Sequence, residues 1–294
     1  MTPPVGILLV DKPTGPTSHD VVEHVRKAAG IRRVGHAGTL DPFASGLLLL
    51  LLGSATRLSE YFLGMEKGYD ATLRLGMETD SWDLEGEVIR EDPGWHRITG
   101  EEIEAALADF RGQILQTPPV YSAKKVRGEA AHRRVRRGEE VVLDPVEVRV
   151  LDLALTGIQL PFVHLKVLCS SGTYVRALAR DLGRALGVGG HLTALRRTSI
   201  GPFSVSEASL VPALGDPAAV LGALIPSAPA LAHLPAVEVE PGQAARIRQG
   251  QFLPLVGNDP PEDVVVRVLL EGELVALASR EGNRLRPRKV MSHG

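Results

Sequence analysis

The chain has 294 residues, 44% hydrophobic and 23% charged, the balance of a globular protein rather than a disordered one. A formal net charge of −2 gives no global basic signature, so any nucleic-acid signal has to be local. One cysteine, Cys169, excludes an internal disulfide; the apolar run 46–52 is too short for a bilayer; and Met1-Thr2-Pro3-Pro4 lacks the blocks of a signal peptide. A soluble cytoplasmic protein is the expectation.

Residues 6–10 are predicted as a short buried strand, closed by the turn-rich stretch Asp11-Lys12-Pro13-Thr14-Gly15-Pro16. Thr17 and Ser18 offer N-caps for a helix with Val21, Val22, Val25, Ala28 and Ala29 on one face and Gly30 as its stop. Alternating apolar residues predict a half-buried strand over 69–75. Thr99 and Glu102 make a capping-box pattern for a helix over 101–110. A strand pair follows over 146–155 and 162–168, then a helix over 173–186 with Gly187 beyond it. Strands and helices mix without regular βαβ alternation, which favours an α+β fold over a doubly wound sheet.

Pro226, Pro229 and Pro235 mark a boundary around 226–236. Beyond it a strand (237–239), a short helix (241–249) and strands over 264–270 and 274–278, with a last one ending in Arg286-Pro287-Arg288-Lys289, outline a small β-rich domain. The expected division is a domain over 1–230 and a second over 235–294.

Charge is unevenly spread. Residues 124–137 hold Lys124, Lys125, Arg127, Arg133, Arg134, Arg136 and Arg137 against Glu129, whereas 78–92 hold seven acids against Arg90. The basic stretch is either a solvated helix face or an arm that neutralises phosphates. Helix-turn-helix, zinc-finger and P-loop spacings are absent, and nine scattered histidines make a metal-dependent mechanism unexpected.

The most informative segment is Gly35-His36-Ala37-Gly38-Thr39-Leu40-Asp41-Pro42-Phe43-Ala44-Ser45-Gly46-Leu47-Leu48. Locally, Asp41 could be an N-cap and Pro42 the first residue of a helix. Alternatively, three glycines, a histidine and an aspartate in one loop let the backbone approach a ligand and present a carboxylate to it.

As a whole string this segment resembles the catalytic motif of the TruB-type tRNA pseudouridine synthases. So do Gly6-Ile7-Leu8-Leu9-Val10-Asp11-Lys12-Pro13, Lys67-Gly68-Tyr69, residues 76–86, Pro118-Pro119-Val120-Tyr121-Ser122-Ala123-Lys124-Lys125 and Cys169-Ser170-Ser171-Gly172-Thr173-Tyr174-Val175-Arg176, in order from about residue 5 to 205. The last sixty residues resemble a compact PUA-type RNA-binding domain.

The resemblance implies a catalytic domain on a mixed, mainly antiparallel sheet, with an RNA-clamping basic insertion at about 120–145 and a PUA-like tail. The implied reaction turns a T-loop uridine of tRNA, by family expectation uridine 55, into pseudouridine, with no cofactor. Asp41 is the implied catalytic carboxylate, Arg176 its ion-pair partner, and Asp83 the acid bracing that arginine. Tyr69 would stack on the flipped uracil, Tyr174 and Leu195 would wall the pocket, His36 would fill the space the base leaves, and Lys12 would support the loop. Trp82 is bulkier than the family pattern and puts the arginine brace in question. A monomer with no obligate protein partner and no membrane contact is expected. The rival readings are a non-catalytic tRNA-binding or tRNA-folding protein and a small-molecule hydrolase with an aspartate nucleophile.

Overall fold

The structure is a computed structural model that describes residues 4–121, 125–126, 129–130, 134, 137, 139, 141–255 and 262–291. The opening apolar run extends two residues further than predicted, as strand β1 (Gly6–Lys12), because Asp11 and Lys12 still pair with Leu47 and Gly46. Helix α1 (Ser18–Ala29) begins where the capping residues demand. Thr17 Oγ1 accepts the Asp20 N–H at 3.1 Å, the Asp20 carboxylate accepts the Thr17 N–H at 2.8 Å, and Gly30 ends the helix at φ 66°.

Strands β2 (Val34–His36) and β3 (Ser45–Leu52) flank the Asp41 loop. No helix follows Asp41: residues 42–43 form a turn, and β3 starts at Ser45, so the N-cap reading of Asp41 and Pro42 fails. The leucine run is a strand buried on both faces. Leu47, Leu49 and Leu51 enter one core, and Leu48, Leu50 and Leu52 enter another beneath α1.

After α2 (Ser59–Leu63) come β4 (Lys67–Leu75), the hairpin β5 (Met77–Thr79) and β6 (Val88–Glu91), α3 (Gly100–Ala108) and β7 (Gly112–Gln116). The Thr99–Glu102 capping box opens α3. A two-stranded pair, β8 (Lys125–Val126) and β9 (Glu129–Ala130), precedes β10 (Val146–Gln159) and β11 (Phe162–Cys169), which pair antiparallel. Helix α4 (Val175–Ala185) starts two residues later than predicted, since Thr173 N–H still closes a turn on Ser170 O. Strands β12 (Gly190–Ile200), β13 (Phe203–Ser204) and β14 (Ser209–Leu210) and helices α5 (Pro217–Gly222) and α6 (Ser227–Ala230) complete the larger unit.

Among the described residues these strands build one ten-stranded sheet of order β14-β1-β3-β12-β4-β11-β10-β7, with β2 on β3 and β13 on β12. Only β1–β14 and β3–β12 are parallel, so the sheet is mixed and mainly antiparallel within an α+β fold. Its β4–β11 half packs Tyr69, Ala71, Leu73, Val163 and Leu165 against Ile103 and Leu107 of α3 and Leu178 and Leu182 of α4.

A second sheet follows, built from β15 (Ala236–Glu238), β16 (Leu253–Pro254), β17 (Val265–Leu270), β18 (Glu273–Glu281) and β19 (Arg284–Val290), with helix α7 (Pro241–Arg248) against it. It is docked on the larger unit. Leu274, Leu277 and Met291 share a core with Ile7, Leu49 and Phe62, and Arg57 donates to Val290 O at 2.8 Å. Among the described residues no helix is long and apolar enough to cross a membrane.

Gly46 is where β3 leaves β1 and meets β12. At φ 102° it lies in the left-handed region, and a Cβ there would sit 2.3 Å from Arg197 O. Gly46→Ala is expected to cost ~2 kcal/mol or more, read as a lower urea midpoint at unchanged m-value. A midpoint unchanged from wild type would show that β12 yields at this crossing.

Candidate active site

The Asp41 loop has little regular hydrogen bonding of its own, and buried side chains hold it instead. Ser18 Oγ, at the start of α1, accepts the Leu40 N–H at 2.8 Å and donates to Leu40 O at 3.0 Å. Lys12, fully buried, donates to Pro13 O, Pro16 O and Pro42 O at 2.9, 2.8 and 3.2 Å. Arg197, also fully buried, donates to Leu47 O at 2.7 Å, Gly38 O at 3.2 Å and Thr39 O at 3.3 Å. Burial draws the Lys12 ammonium down to about 8, with Asp41 the strongest opposing influence.

Asp41 projects from this loop onto Arg176 of α4, with Oδ2 3.1 Å from Nε. The same guanidinium reaches Asp83 Oδ2 at 2.9 Å and donates to Tyr121 O at 2.9 Å and Ser81 O at 3.3 Å. Asp83 is buried and held in turn, its Oδ1 accepting from Ser81 Oγ at 2.5 Å and from Glu85 N–H at 3.0 Å. Trp82 does not disturb this brace. It takes φ 63°, turning its ring under the Arg180 guanidinium at 3.9 Å while its carbonyl accepts from Leu192 N–H.

One arginine therefore serves two carboxylates. Burial raises the Asp41 carboxyl above its ordinary value; Arg176 opposes that, Asp83 reinforces it, and the net effect is upward. Arg176 thus pairs with Asp41 but does not fully offset its burial. For a carboxylate raised in the folded state, ionisation costs stability at neutral pH, and the cost fades as pH falls through the raised pKa.

Beside Asp41 lies a cavity of about 270 Å³ lined by Tyr69, Tyr174, Arg176, Leu195, Lys67 and Arg197 among others. On the far side of the Asp41–Arg176 pair is an acidic groove of about 420 Å³ with Asp80, Asp83, Glu85 and Glu87. The fold thus gathers Asp41, Tyr69, Tyr174, Arg176 and Leu195 at one cavity, with Asp83 behind and Lys12 beneath. His36 is not in its lining: it sits on β2, half-buried, with Nδ1 buried and unpartnered. Tyr69 faces β12, where Arg197 is its cross-strand partner. Burial raises the Tyr69 phenol, and Arg197 pulls it back.

Three contributors were not foreseen. Arg197 belongs to none of the motifs singled out in the sequence, and only the folded chain shows that it spans the loop. Gln116 ends β7 with its Oε1 on the Tyr174 N–H at 2.7 Å, setting the start of α4. Lys67 donates to Leu63 O and Met65 O at 3.0 and 2.8 Å, and burial lowers it to about 8; its place in a motif with Tyr69 was the available signal. Among the described residues no group of three or more His, Cys, Asp or Glu is placed to hold a metal ion.

Of the basic arm, Lys124, Arg127, Arg133 and Arg136 lie outside the described residues, and Lys125 is described only as backbone in β8. Arg134 and Arg137 both pair with Glu139 at 2.7 Å, so these two cations are locally neutralised in part.

The profile for the TruB family pseudouridylate synthase N-terminal domain matches residues 26–175. Those for the tRNA pseudouridylate synthase B C-terminal domain and the pseudouridine synthase II TruB C-terminal region match 176–216 and 235–291. The fold and the matched domains are those of a pseudouridylate synthase. Tyr69, Arg176 and Asp41 all fall in matched segments, and the chain belongs to the TruB family.

Among its relatives, the tRNA pseudouridine synthase B of Thermobifida fusca (strain YX) is 44% identical over 98% of each chain. That of Leifsonia xyli subsp. xyli is 45% identical, covering 96% of this chain and 94% of the relative. A protein in the structure of an H/ACA RNP bound to a substrate RNA containing 2'-deoxyuridine superposes with TM-score 0.74 at 26% identity, over 98% of this chain and 86% of that one.

Arg176→Gln leaves buried Asp83 and part-buried Asp41 without their shared cation and is expected to cost ~3 kcal/mol or more. It should also move the Asp41 titration, followed by carboxyl ¹³C NMR, further up. Asp41→Asn should be no less stable than wild type at pH 7, with any gain closing as pH falls. An unmoved Asp41 titration in Arg176→Gln would show that the pair sets geometry and not charge.

Proposed function

We propose that this chain isomerises uridine to pseudouridine in the T-loop of tRNA, at the position the family resemblance implies, with Asp41 as the catalytic carboxylate. The observation that carries this reading is the Asp41–Arg176 pair at 3.1 Å on the edge of a cavity walled by Tyr69, Tyr174 and Leu195. The reaction breaks the bond from ribose C1′ to N1 of the base, turns the uracil and joins C1′ to C5; C5 loses its proton and N1 takes one up. It exchanges no electrons with a cofactor and needs a charged, placed carboxylate, either as nucleophile or as base toward the ribose.

The target base must leave its stack to reach such a cavity, and aromatic and aliphatic walls suit a flat guest. Tyr69 offers a ring face for the uracil and a hydroxyl for the C5 proton. Arg176 holds the Asp41 carboxylate in one orientation while Asp83, anchored by Ser81 and Glu85, holds Arg176. Lys12 keeps the loop in register, and His36, one strand away, fills the space vacated in the RNA. The residues of the arm (Lys124, Lys125, Arg127, Arg133, Arg134, Arg136 and Arg137) grip the T-arm backbone.

In this reading residues 1–230 are the catalytic domain, with the basic insertion at about 120–145, and 235–294 are a PUA-like RNA-binding domain. The chain acts as a monomer in the cytoplasm, where its substrate is. The naming of the relatives as tRNA pseudouridine synthase B supports the substrate.

Tritium release from a T-arm stem-loop carrying [5-³H]uridine tests the proposal. The wild type should release label, and Asp41→Asn should bind the RNA but release none. Because the carboxylate has to be ionised and its pKa is raised, the acid limb of the wild-type rate should lie above the ordinary aspartate value near 4. Binding without release by either protein would leave only the tRNA-binding or tRNA-folding reading.

A further inference from the structure

Residues 24–40 carry Arg26, Lys27, Arg32 and Arg33 with two histidines and not one acid, in a chain whose formal net charge is −2. The fold turns this composition into a surface. Ile31 and Val34 are buried in the core beneath α1, which forces the two arginines between them outward. The turn is fixed by its backbone: Gly30 N–H donates to Lys27 O and Ile31 N–H to Arg26 O, both at 3.2 Å, and Gly53 N–H donates to Arg33 O at 2.8 Å.

Arg26 folds back, pairing with Glu23 and donating to Val34 O. Glu23, the acid nearest in sequence, is engaged by Arg26 and by His19. Lys27, Arg32 and Arg33 are exposed and, among the described residues, make no ion pair. From Arg33 the chain runs straight into β2 and so to Gly38 and Asp41. Arg33 O accepts from Gly53 N–H just past the end of β3, and the Asp41 loop closes at the start of that strand; its eight residues span ~25 Å, so the cations stand several nucleotides from anything held over Asp41.

We propose that the turn bearing Lys27, Arg32 and Arg33 is a second backbone-binding site for the RNA substrate, holding phosphates several nucleotides from the one over Asp41. This rests on the function proposed above and adds a site that the 124–137 arm does not supply. The ligand chemistry follows from the residues. Arginine forks match phosphate oxygens, and a fixed turn of cations in a stretch with no Phe, Tyr or Trp suits a backbone rather than stacked bases. Its place at the head of β2, which leads on to the catalytic loop, favours the RNA strand whose base is committed there.

The test uses the full chain with a T-arm stem-loop and whole tRNA, measuring Kd across a potassium chloride series and turnover at saturating RNA. Each phosphate contact contributes roughly 0.7–0.9 to the slope of log K against log salt. Arg32→Gln/Arg33→Gln should therefore flatten the slope by ~1.5 and weaken Kd about tenfold or more at low salt, with saturated turnover unchanged. Arg32→Lys/Arg33→Lys should keep most of the slope, and thermal melting should be the same for all three proteins, since both side chains are exposed. Slopes and Kd equal to wild type in the Gln variant, with wild type binding and turning over normally, would overturn this site alone. A wild type that neither binds nor releases tritium would overturn the functional reading and this site with it.

Discussion

The arrangement hangs on a single buried guanidinium shared by two carboxylates. Arg176 spends Nε on Asp41, Nη1 on Asp83 and Ser81 O, and Nη2 on Tyr121 O, so every face of its fork is directed. A planar fork with fixed donors transmits orientation in a way a lysine could not. Helix α4, the 79–85 turn and the Asp41 loop are thereby locked to one another although they lie in three distant stretches of chain. Burial of the whole group supplies rigidity at some cost in charge stabilisation.

Around that group, the loops are held by cations rather than by sheet or helix. Lys12 takes three carbonyls, Arg197 three, Lys67 two and Arg176 two. A glycine-rich loop that leaves regular hydrogen bonding has carbonyls to satisfy, and a buried ammonium or guanidinium satisfies several at once. Of these cations Arg176, Lys12 and Arg197 also act to hold the Asp41 carboxylate charged, and Arg197 does the same for the Tyr69 phenol. The overall charge of −2 says nothing of this, because the acids are segregated along 78–92 and the cations are local.

The sequence was most legible where local chemistry decides. The Thr99–Glu102 box, the Gly30 stop and the antiparallel pair β10–β11 needed only neighbours within a few residues. It was least legible where both faces of a strand are buried or its pattern is broken. The leucine run of β3 has no alternation to read, since alternate leucines serve two cores. Strand β12 carries register shifts at Leu192/Ala194 and Arg197/Ser199 and is rich in Thr and Arg, so its period is scrambled. Yet it is the strand that joins β3 to β4 and brings Leu195 and Arg197 to the site. Pro42 misled for a related reason: its carbonyl is taken by Lys12 and by Gly15 N–H, a tertiary demand that outweighs its preference for a helix start.

Burial is the main cause of the upward shift of Asp41, and the division of Arg176 between two carboxylates limits how far it is offset. A guanidinium facing one carboxylate offsets the burial of that carboxylate; facing two, it leaves the group with a net negative charge, and Asp83 adds to the upward push on Asp41. Asp41 is the more exposed of the two, with 35% of its side chain open to the cavity against 4% for Asp83. Asp83 has Ser81 and Glu85 N–H to spread its charge, whereas Asp41 has the cavity in front of it. A carboxylate held in place but incompletely neutralised is a stronger base and nucleophile than one fully paired. The brace on Arg176 therefore does two things: it fixes where Asp41 points, and through the charge of Asp83 it adds to the upward push that burial exerts on Asp41.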